Sequence, residues 1–323
     1  MNPLSALPIH RKDHGLMAEF DTPPPAPVVS VKPIVLPAPG RGEDLRVRIS
    51  APATGYDLPI IVFSHGFGSS LEGYGPLTDF WAAHGFVVVQ PTHLDSRTLS
   101  LEPNDPRTPR IWRYRVEDVQ RILDNLDLLE AAVPGLAGRL DRTRIAAAGH
   151  SFGGQTAGVQ LGLRVRDPQT GTGEDLSDPR ISAGVLLATA GKGGEDLTAF
   201  AAEHFPFMNP DFSAMRTPAL IVMGDRDELP LTVRGPDWTA DPYLLSPGDK
   251  SLLTLFDAEH SLGGIPGYEA KETTDENPER VALIQHLTWA YLRHALDIEN
   301  TSWPAAQKAL AESRNPLGRI ESK

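Results

Sequence analysis

The chain has no cysteine among its 323 residues. This absence excludes a disulfide, a thiol nucleophile and any zinc site built on cysteine. The sequence also lacks an apolar run approaching the roughly 20 residues of a membrane helix, and residues 1–20 contain no stretch typical of a signal peptide. We therefore expect a cytoplasmic protein without an integral membrane segment.

Positively charged residues are fewer than negatively charged ones. Lysine and arginine total 30 against 42 aspartates and glutamates, which leaves a net charge of -12, and the basic residues are scattered. Such a distribution gives no electrostatic footprint for nucleic acid or for an anionic membrane surface. A small molecule is the expected partner, and the composition does not distinguish a monomer from a homo-oligomer.

The composition divides the chain into three parts. Residues 1–30 are polar and then proline-rich, which favours an extended arm. Residues 31–300 alternate short apolar runs with segments of helical pattern, as a folded domain does. Over the whole chain, 40% of the residues are hydrophobic and 22% are charged, which is ordinary for a globular protein. Residues 301–323 are predicted to form a short helix and a loose tail.

Short apolar runs alternate with longer segments of helical pattern. Seven runs are candidate strands: residues 45–49, 60–63, 86–90, 145–148, 183–188, 219–223 and 252–256. The candidate helices are residues 77–84, 116–132, 151–163 and 281–296. This order predicts an α/β fold, a mostly parallel doubly wound sheet with helices on both faces. The first run alternates apolar residues with arginine and suits an antiparallel edge strand.

The most informative motif surrounds Ser151. Residues 149–153 read Gly-His-Ser-Phe-Gly, which places the serine in a G-x-S-x-G turn between a predicted strand and a predicted helix. This is the arrangement of a nucleophile elbow, in which a strained turn exposes the serine and glycines allow close approach of the backbone. Ser151 is therefore the candidate nucleophile.

A serine nucleophile needs a base and an acid to orient that base. In sheets of this type the chain order is serine, acid, histidine, each after a strand. His260 follows the last predicted strand and is the candidate base. The loop after residues 219–223 contains Asp225, Asp227 and Glu228. Asp227 is favoured because it lies further into the loop, with Asp225 and then Glu228 as alternatives.

Two backbone N–H groups are needed to stabilise the oxyanion that forms when a carbonyl is attacked. Phe152 follows the nucleophile and is predicted to supply one. The glycine-rich loop 64–70 follows a predicted strand and is expected to present the Phe67 N–H as the second. His65 in the same loop is expected to brace the turn by hydrogen bonding.

Candidate pocket residues come from aromatic side chains and long loops. Trp112, Trp238 and Tyr243 are the candidate substrate contacts, and Phe67 and Phe152 are further candidate walls. The glycine- and proline-rich segments 166–180 and 234–250 are also predicted as pocket walls. A cluster of charges, Arg113, Arg115 and Asp118, is expected to hold the loop after Pro91 through salt bridges.

Together these motifs resemble the α/β-hydrolase superfamily over residues 31 to 297. The loops 64–68, 149–154, 224–227 and 259–260 occur in the order and at the strand ends that the resemblance requires. With the Pro-Thr-His-Leu-Asp-Ser segment 91–96, they are similar to the branch of platelet-activating factor acetylhydrolases, chlorophyllases and dienelactone-hydrolase-like esterases. That branch carries its acid after the strand following the nucleophile helix, where residues 187–191 contain no carboxylate, and the later acid is similar to cutinase-like polyesterases.

The resemblance implies an α/β-hydrolase fold with short cap loops and a serine carboxylester hydrolase acting on small to medium acyl or aryl esters. It implies no cofactor, and no metal site is predicted. A lactonase, an amidase, a thioesterase or a cutinase-like polyester hydrolase would use the same three residues. A ligand-binding protein without activity on the same fold is the alternative from another class.

Overall fold

The computed structural model describes residues 22–102, 105–167, 170–267 and 273–323. Eleven strands are assigned in these ranges: β1 Val28–Leu36, β2 Leu45–Pro52, β3 Leu58–Ser64, β4 Val87–Pro91, β5 Leu140–His150, β6 Arg164–Val165, β7 Ile181–Leu187, β8 Pro210–Asp211, β9 Ala219–Gly224, β10 Lys250–Leu255 and β11 Gly318–Ser322. The helices are α1 Gly75–Ala83, α2 Ile111–Asp124, α3 Leu126–Ala132, α4 Phe152–Gln160, α5 Ala199–His204, α6 Asp241–Leu245, α7 Pro278–Ala295 and α8 Ser302–Glu312.

Nine strands form one sheet in the order β1-β2-β4-β3-β5-β7-β9-β10-β11. The six strands from β4 to β10 pair in parallel, whereas β1, β2 and β11 run antiparallel to their neighbours. The inner parallel strands β3, β4, β9 and β10 are buried along their whole length, as expected where helices cover both faces. The predicted α/β class with a mostly parallel sheet is confirmed.

Two hydrophobic cores lie on opposite faces of this sheet. On one face, Val116 and Val119 of α2 and Leu129 of α3 pack against alternate side chains of β3 and β5. On the other face, Trp81 of α1 and Leu287 of α7 pack against the intervening side chains. Because neighbouring residues of a strand point to opposite faces, one apolar run supplies both cores.

Two expectations about the edges of the sheet are wrong. Strand β2 is antiparallel but is not an edge strand, because β1 pairs with the side of β2 that faces away from β4. Within the predicted loose tail, Gly318–Ser322 pairs with β10 and forms the other edge of the sheet. Both segments are mostly exposed or only half-buried, so they carry little hydrophobic periodicity. Of the predicted N-terminal arm, residues 1–21 lie outside the described residues.

Helix boundaries differ in detail from the sequence pattern. The predicted helix 116–132 is divided at Asn125, whose φ of -117° and ψ of 24° lie outside the α-helical region. The predicted helix 151–163 begins at Phe152, so Ser151 stands before the helix. Asn277 caps α7 by accepting from the Arg280 N–H, with Pro278 as the first helical residue.

The sheet order brings distant parts of the chain to one edge. Strands β3, β5, β7, β9 and β10 lie in that order, and all five run in the same direction. The loops that follow β3, β5, β9 and β10 therefore emerge at the same end of the sheet. In open parallel sheets this carboxyl end is where functional groups gather.

Candidate active site

Ser151 occupies a strained turn at the end of β5. Its φ of 56° and ψ of -120° depart from the ordinary regions for an L-residue, and its N–H donates to the Leu187 carbonyl at 2.8 Å. A Cβ at Gly149 would lie 2.1 Å from the Gly153 oxygen, and one at Gly153 would lie 2.0 Å from the Ser64 oxygen. Both glycines are therefore required for the backbone to pack closely around the serine.

His260 and Asp227 form a pair in the loops that follow β10 and β9. The two carboxylate oxygens of Asp227 lie 3.0 and 3.1 Å from His260 Nδ1. Asp227 is only 2% exposed, whereas Asp225 and Glu228 are exposed. An acceptor at Nδ1 holds the proton on that nitrogen and leaves Nε2 available as a base. The geometry thus distinguishes Asp227 from the two alternative acids.

A cavity of about 640 Å³ joins the serine to the histidine. Ser151 and His260 both line it, together with Gly66 and Phe67 of the loop after β3. The sheet therefore brings together the three side chains that the sequence predicts, although more than 100 residues separate Ser151 from His260.

The Phe67 N–H has no acceptor among the described residues, whereas the N–H groups on both sides of it are hydrogen-bonded. The flanking Gly66 N–H donates to Tyr74 Oη at 3.0 Å, and the Gly68 N–H donates to Asp95 at 3.1 Å. The Phe67 and Phe152 N–H groups have no acceptor among the residues that the structure describes. Two free N–H groups on either side of a nucleophile are the arrangement that stabilises an oxyanion.

Arg115 and Asp95 brace this loop from beneath. Arg115 Nη1 donates to the His65 carbonyl at 2.8 Å, and its guanidinium forms a bidentate pair with Asp95 at 2.7 and 2.8 Å. Although burial raises it, the pKa of Asp95 is held well below its usual range by Arg115. The same guanidinium lies 4.2 Å from the centre of the Phe152 ring. One buried cation thus contacts both candidate donor segments.

Two of the three charged residues predicted to hold the loop after Pro91 contact it. Arg115 and Asp118 contact that loop through Asp95 and His93, as expected. Arg113 instead pairs with Glu174 at the surface.

A second hydrogen-bond chain connects the loop after β3 to the histidine loop. His150 Nε2 donates to the His260 carbonyl at 2.8 Å, so His150 Nδ1 accepts from the Tyr74 hydroxyl at 2.8 Å. The same hydroxyl accepts from the Gly66 N–H. Burial, followed by the nearby His260, lowers the pKa of His150 to about 3, so the ring is neutral as this chain requires. The sequence offered no signal for this role of Tyr74.

Tyr74→Phe tests this chain because it removes one hydroxyl and keeps the ring packed against Phe63. Loss of the shared partner leaves the Gly66 N–H and His150 Nδ1 unsatisfied, which costs about 1–3 kcal/mol for buried groups. We expect the free energy of unfolding in urea to fall by about that amount. Tyr291→Phe, at a buried tyrosine whose cavity is lined by none of these residues, is the matched control. Equal stability of Tyr74→Phe and wild type would contradict the assignment.

Behind the loop lies a third buried network. His65 Nδ1 donates to the Gly66 carbonyl at 2.6 Å, and His65 Nε2 accepts from the His93 N–H at 3.0 Å, so His65 braces the turn as expected. His93 Nδ1 lies 2.9 Å from Asp118, which also forms a bidentate pair with Arg41. Burial lowers the pKa of both histidines well below the ordinary value.

These buried groups predict a loss of stability in mild acid. Below pH 6.5 the unfolded chain binds protons at His65, His93 and His150, whereas the folded chain leaves them neutral, so unfolding becomes easier as pH falls. Burial raises the pKa of Asp118 to about 6, and its protonation in the folded state offsets one of the three protons. The unfolded chain therefore binds a net two protons more than the folded chain. This difference lowers the free energy of unfolding by about 3 kcal/mol for each pH unit of acidification between pH 6 and 5.

Urea denaturation at pH 7, 6 and 5 measures this slope. His150→Asn is expected to reduce it by one proton, about 1.4 kcal/mol per pH unit. The exposed His204 provides the matched control variant His204→Asn, which is expected to leave the slope unchanged. A flat stability profile between pH 6 and 5 would contradict the prediction.

A second cavity, of about 210 Å³, opens on the other side of Ser151. Its walls are mostly apolar and include the predicted Phe67, Phe152 and Trp238. Trp112 and Tyr243 line neither this cavity nor the larger one, and their role as substrate contacts stays a prediction. Trp112, a residue of α2, packs against the core, and Tyr243 contacts Lys323.

The predicted wall segments contribute little to the two cavities. The described residues of segment 166–180 line neither cavity, and segment 234–250 contributes only Trp238. The walls come instead from two segments. The segment between α5 and β8 supplies Phe205, Phe207 and Met208, and the loop after β9 supplies Leu229 and Leu231. The concentration of phenylalanines in residues 200–207 was the available signal.

Within the described ranges, histidine, aspartate and glutamate side chains form no group of three or more placed to hold a metal ion. None of the described helices is both long and apolar enough to cross a membrane.

Known proteins resemble part of this chain. The chlorophyllase family model matches residues 38–170, which include the Phe67 loop and Ser151 but end before Asp227 and His260. Platelet-activating factor acetylhydrolase of Canis lupus familiaris is 33% identical over 32% of this chain and 32% of its own length. The Cavia porcellus enzyme of the same name is 28% identical over 32% of this chain and 31% of its own length.

The chain thus spans about a third of the length of the curated relatives it matches. The matched residues 38–170 include the loop after β3 and the turn after β5, two neighbouring strands of the sheet. The mostly parallel nine-stranded sheet is consistent with an α/β-hydrolase fold, and residues 38–170 are similar to the chlorophyllase family, a part of the chain that also resembles the platelet-activating factor acetylhydrolases.

Proposed function

We propose that this protein is a serine carboxylester hydrolase that works through an acyl-enzyme. The observation that carries the proposal is the convergence of three features around Ser151, which lines both cavities. These are the strained turn at Ser151, the buried carboxylate of Asp227 on His260 Nδ1, and the two N–H groups of Phe67 and Phe152.

In the first half of the reaction, Ser151 Oγ attacks the carbonyl carbon of the ester and His260 Nε2 takes its proton. The negative charge that develops on the carbonyl oxygen is stabilised by the Phe67 and Phe152 N–H groups. The bond to the alcohol oxygen then breaks, and His260 returns the proton to the leaving alcohol. Asp227 keeps the imidazole oriented and stabilises its positive charge while it holds the proton.

In the second half, water attacks the acyl-enzyme while His260 takes a proton from that water. The bond to Ser151 Oγ breaks, the serine regains its proton, and a carboxylic acid leaves. The apparatus is the same for a lactone, an amide or a thioester. An ester is favoured because the name of the acetylhydrolase relatives describes hydrolytic removal of an acetyl group.

Labelling of the wild-type protein with a fluorophosphonate tests the proposal. The reagent phosphonylates an activated serine, so we expect a single adduct by intact mass and its location on the peptide that contains Ser151. Hydrolysis of 4-nitrophenyl acetate and butanoate is measured on the same preparation. A protein that forms no adduct and hydrolyses neither ester, while its fold is intact, would fit the ligand-binding alternative instead.

A further inference from the structure

A third cavity, of about 510 Å³, lies at the amino ends of β9 and β10. Its walls come from the first residues of β10, the last turns of α7 and the first turn of α8. Asp227 and His260 follow the carboxyl ends of the same two strands, so this cavity is separate from the candidate active site. Its size is within the range of small-molecule binding sites.

Lys250 places a buried cation in the wall of this cavity. Only 2% of the residue is exposed, and its Nζ donates to the Pro247 carbonyl at 2.9 Å. No carboxylate of the residues that the structure describes forms an ion pair with this Nζ. An ammonium group has three N–H donors, so two of them are available to a ligand. Because an unpaired buried charge is unfavourable, an anion bound here would be stabilised strongly.

Tyr291 adds a second donor to the same cavity. The residue is only 4% exposed, and its ring packs edge-on against Trp303 with centroids 5.3 Å apart. Within the described part of the chain, the Tyr291 hydroxyl has no hydrogen-bond partner. Buried hydroxyl groups are usually paired, so this one is suited to donate to a ligand in the cavity.

Both groups carry the proton that an anion needs at pH 7. Burial, followed by the nearby Lys323, lowers the pKa of Lys250 to about 8, and Asp249 opposes this shift, so the ammonium is still mostly charged. Burial, followed by the charge of Asp249, raises the pKa of Tyr291 above its usual range, so the phenol keeps its proton. A carboxylate can accept from both groups.

We propose that this cavity binds a small monocarboxylate, whose oxygens accept from Lys250 Nζ and Tyr291 Oη. This site is distinct from the turn at Ser151, and the inference does not depend on the proposed ester hydrolysis.

The other charges on the cavity wall favour a ligand with one negative charge. The carboxylates of Asp249 and Asp297 also line the cavity and would repel a second negative charge. A second ammonium on the wall, Lys323 Nζ, already donates to the Ser246 carbonyl at 2.6 Å. Trp303 supplies an aromatic ring against which the apolar part of the ligand can pack.

Fluorine NMR of 4-fluorobenzoate, titrated with the whole protein at pH 7, tests the site. We expect saturable line broadening, with a dissociation constant of about a millimolar for so small a ligand. The neutral counterpart 4-fluorobenzyl alcohol is expected to bind at least about tenfold more weakly, because it cannot pair with the ammonium. 4-Fluorophenyl phosphate carries a charge of about -1.5 to -2 and is also expected to bind more weakly.

Two variants assign the binding to this cavity. Lys250→Met keeps the apolar stem of the side chain and removes the charge, and is expected to weaken 4-fluorobenzoate binding at least about tenfold. Tyr291→Phe removes one hydroxyl and keeps the ring beside Trp303, and is expected to weaken it about tenfold. The matched control is Lys308→Met, which makes the same change of charge at an exposed position of α8 and is expected to leave the affinity unchanged.

The proposal is overturned if 4-fluorobenzoate shows no saturable binding to the wild type, or if both cavity variants bind it as tightly as the wild type does. It is also overturned if Lys308→Met weakens binding as much as Lys250→Met, since the effect would then be one of net charge. Tighter binding of 4-fluorophenyl phosphate than of 4-fluorobenzoate would contradict the preference for a monocarboxylate. Failure of the proposed hydrolysis would look different, because it would abolish the fluorophosphonate adduct without changing these affinities.

Discussion

Replacing Ser151 with alanine is expected to lower kcat for 4-nitrophenyl butanoate by about 10⁶, close to the loss seen when a catalytic serine of a triad is removed. The reason is that no other hydroxyl occupies the turn after β5, where the Phe67 and Phe152 N–H groups face the same cavity. Alanine removes the attacking oxygen and leaves the backbone of the turn available. The fluorophosphonate adduct is expected to disappear with the activity.

Ser261 provides the matched control for this experiment. It also lines the larger cavity and is next to His260, but it lies outside the strained turn. Ser261→Ala is expected to retain the adduct and to keep kcat within a few fold of the wild type. If Ser151→Ala kept its adduct while Ser261→Ala lost it, the nucleophile would have been assigned to the wrong side of the cavity.

The second large effect is expected from Asp227→Asn, which should lower kcat about 10⁴-fold, as the corresponding change does in a serine triad. An amide at this position directs an N–H donor or a neutral oxygen at His260 Nδ1 in place of a carboxylate. The imidazole then loses the partner that fixes its tautomer and stabilises its positive charge. Serine activation is lost although Ser151 itself is unchanged.

Asp225→Asn is the matched control because it lies in the same loop with its side chain exposed. We expect it to change kcat less than threefold. Thermal unfolding of both variants separates a lost fold from a lost hydrogen bond, since Asp227 is buried and Asp225 is not. An inactive Asp225→Asn beside an active Asp227→Asn would transfer the acid role to Asp225.

The candidate site depends on residues that touch no substrate. Arg115 connects the loop after β3 with the Phe152 ring, and the Tyr74–His150 chain connects the same loop with the carbonyl of His260. Preorganised donors act strongly because they need not reorient as charge develops. These buried contacts explain why a loop rich in glycine can hold Phe67 in one position.

Much of the site could be predicted from the sequence because its chemistry is local. The turn around Ser151 needs glycines at fixed positions, and His260 and Asp227 each stand a few residues after a recognisable apolar strand. The seven predicted strands are all present in the main sheet, because burial on both faces demands continuous apolar runs in the inner parallel strands and β2 shows the alternation of a strand with one buried face.

Other features left no comparable signal. Strands β1 and β11 lie at the edges of the sheet, where only part of each strand is buried and the apolar pattern is weak. Trp112 and Tyr243 were expected in the pocket because aromatic residues in polar surroundings often bind ligands, yet each packs elsewhere. The direction in which a loop side chain points depends on its neighbours in space, which single-sequence patterns do not specify.

The sequence by itself determined the fold class, the strained turn at Ser151 and the order of serine, acid and histidine, because backbone conformation and strand burial follow local rules. The tertiary structure decided that Asp227 rather than Asp225 meets His260, and it decided the division of the site into an apolar and a polar cavity. Both depend on contacts between segments far apart in the chain, where distances of a few ångströms are set by packing.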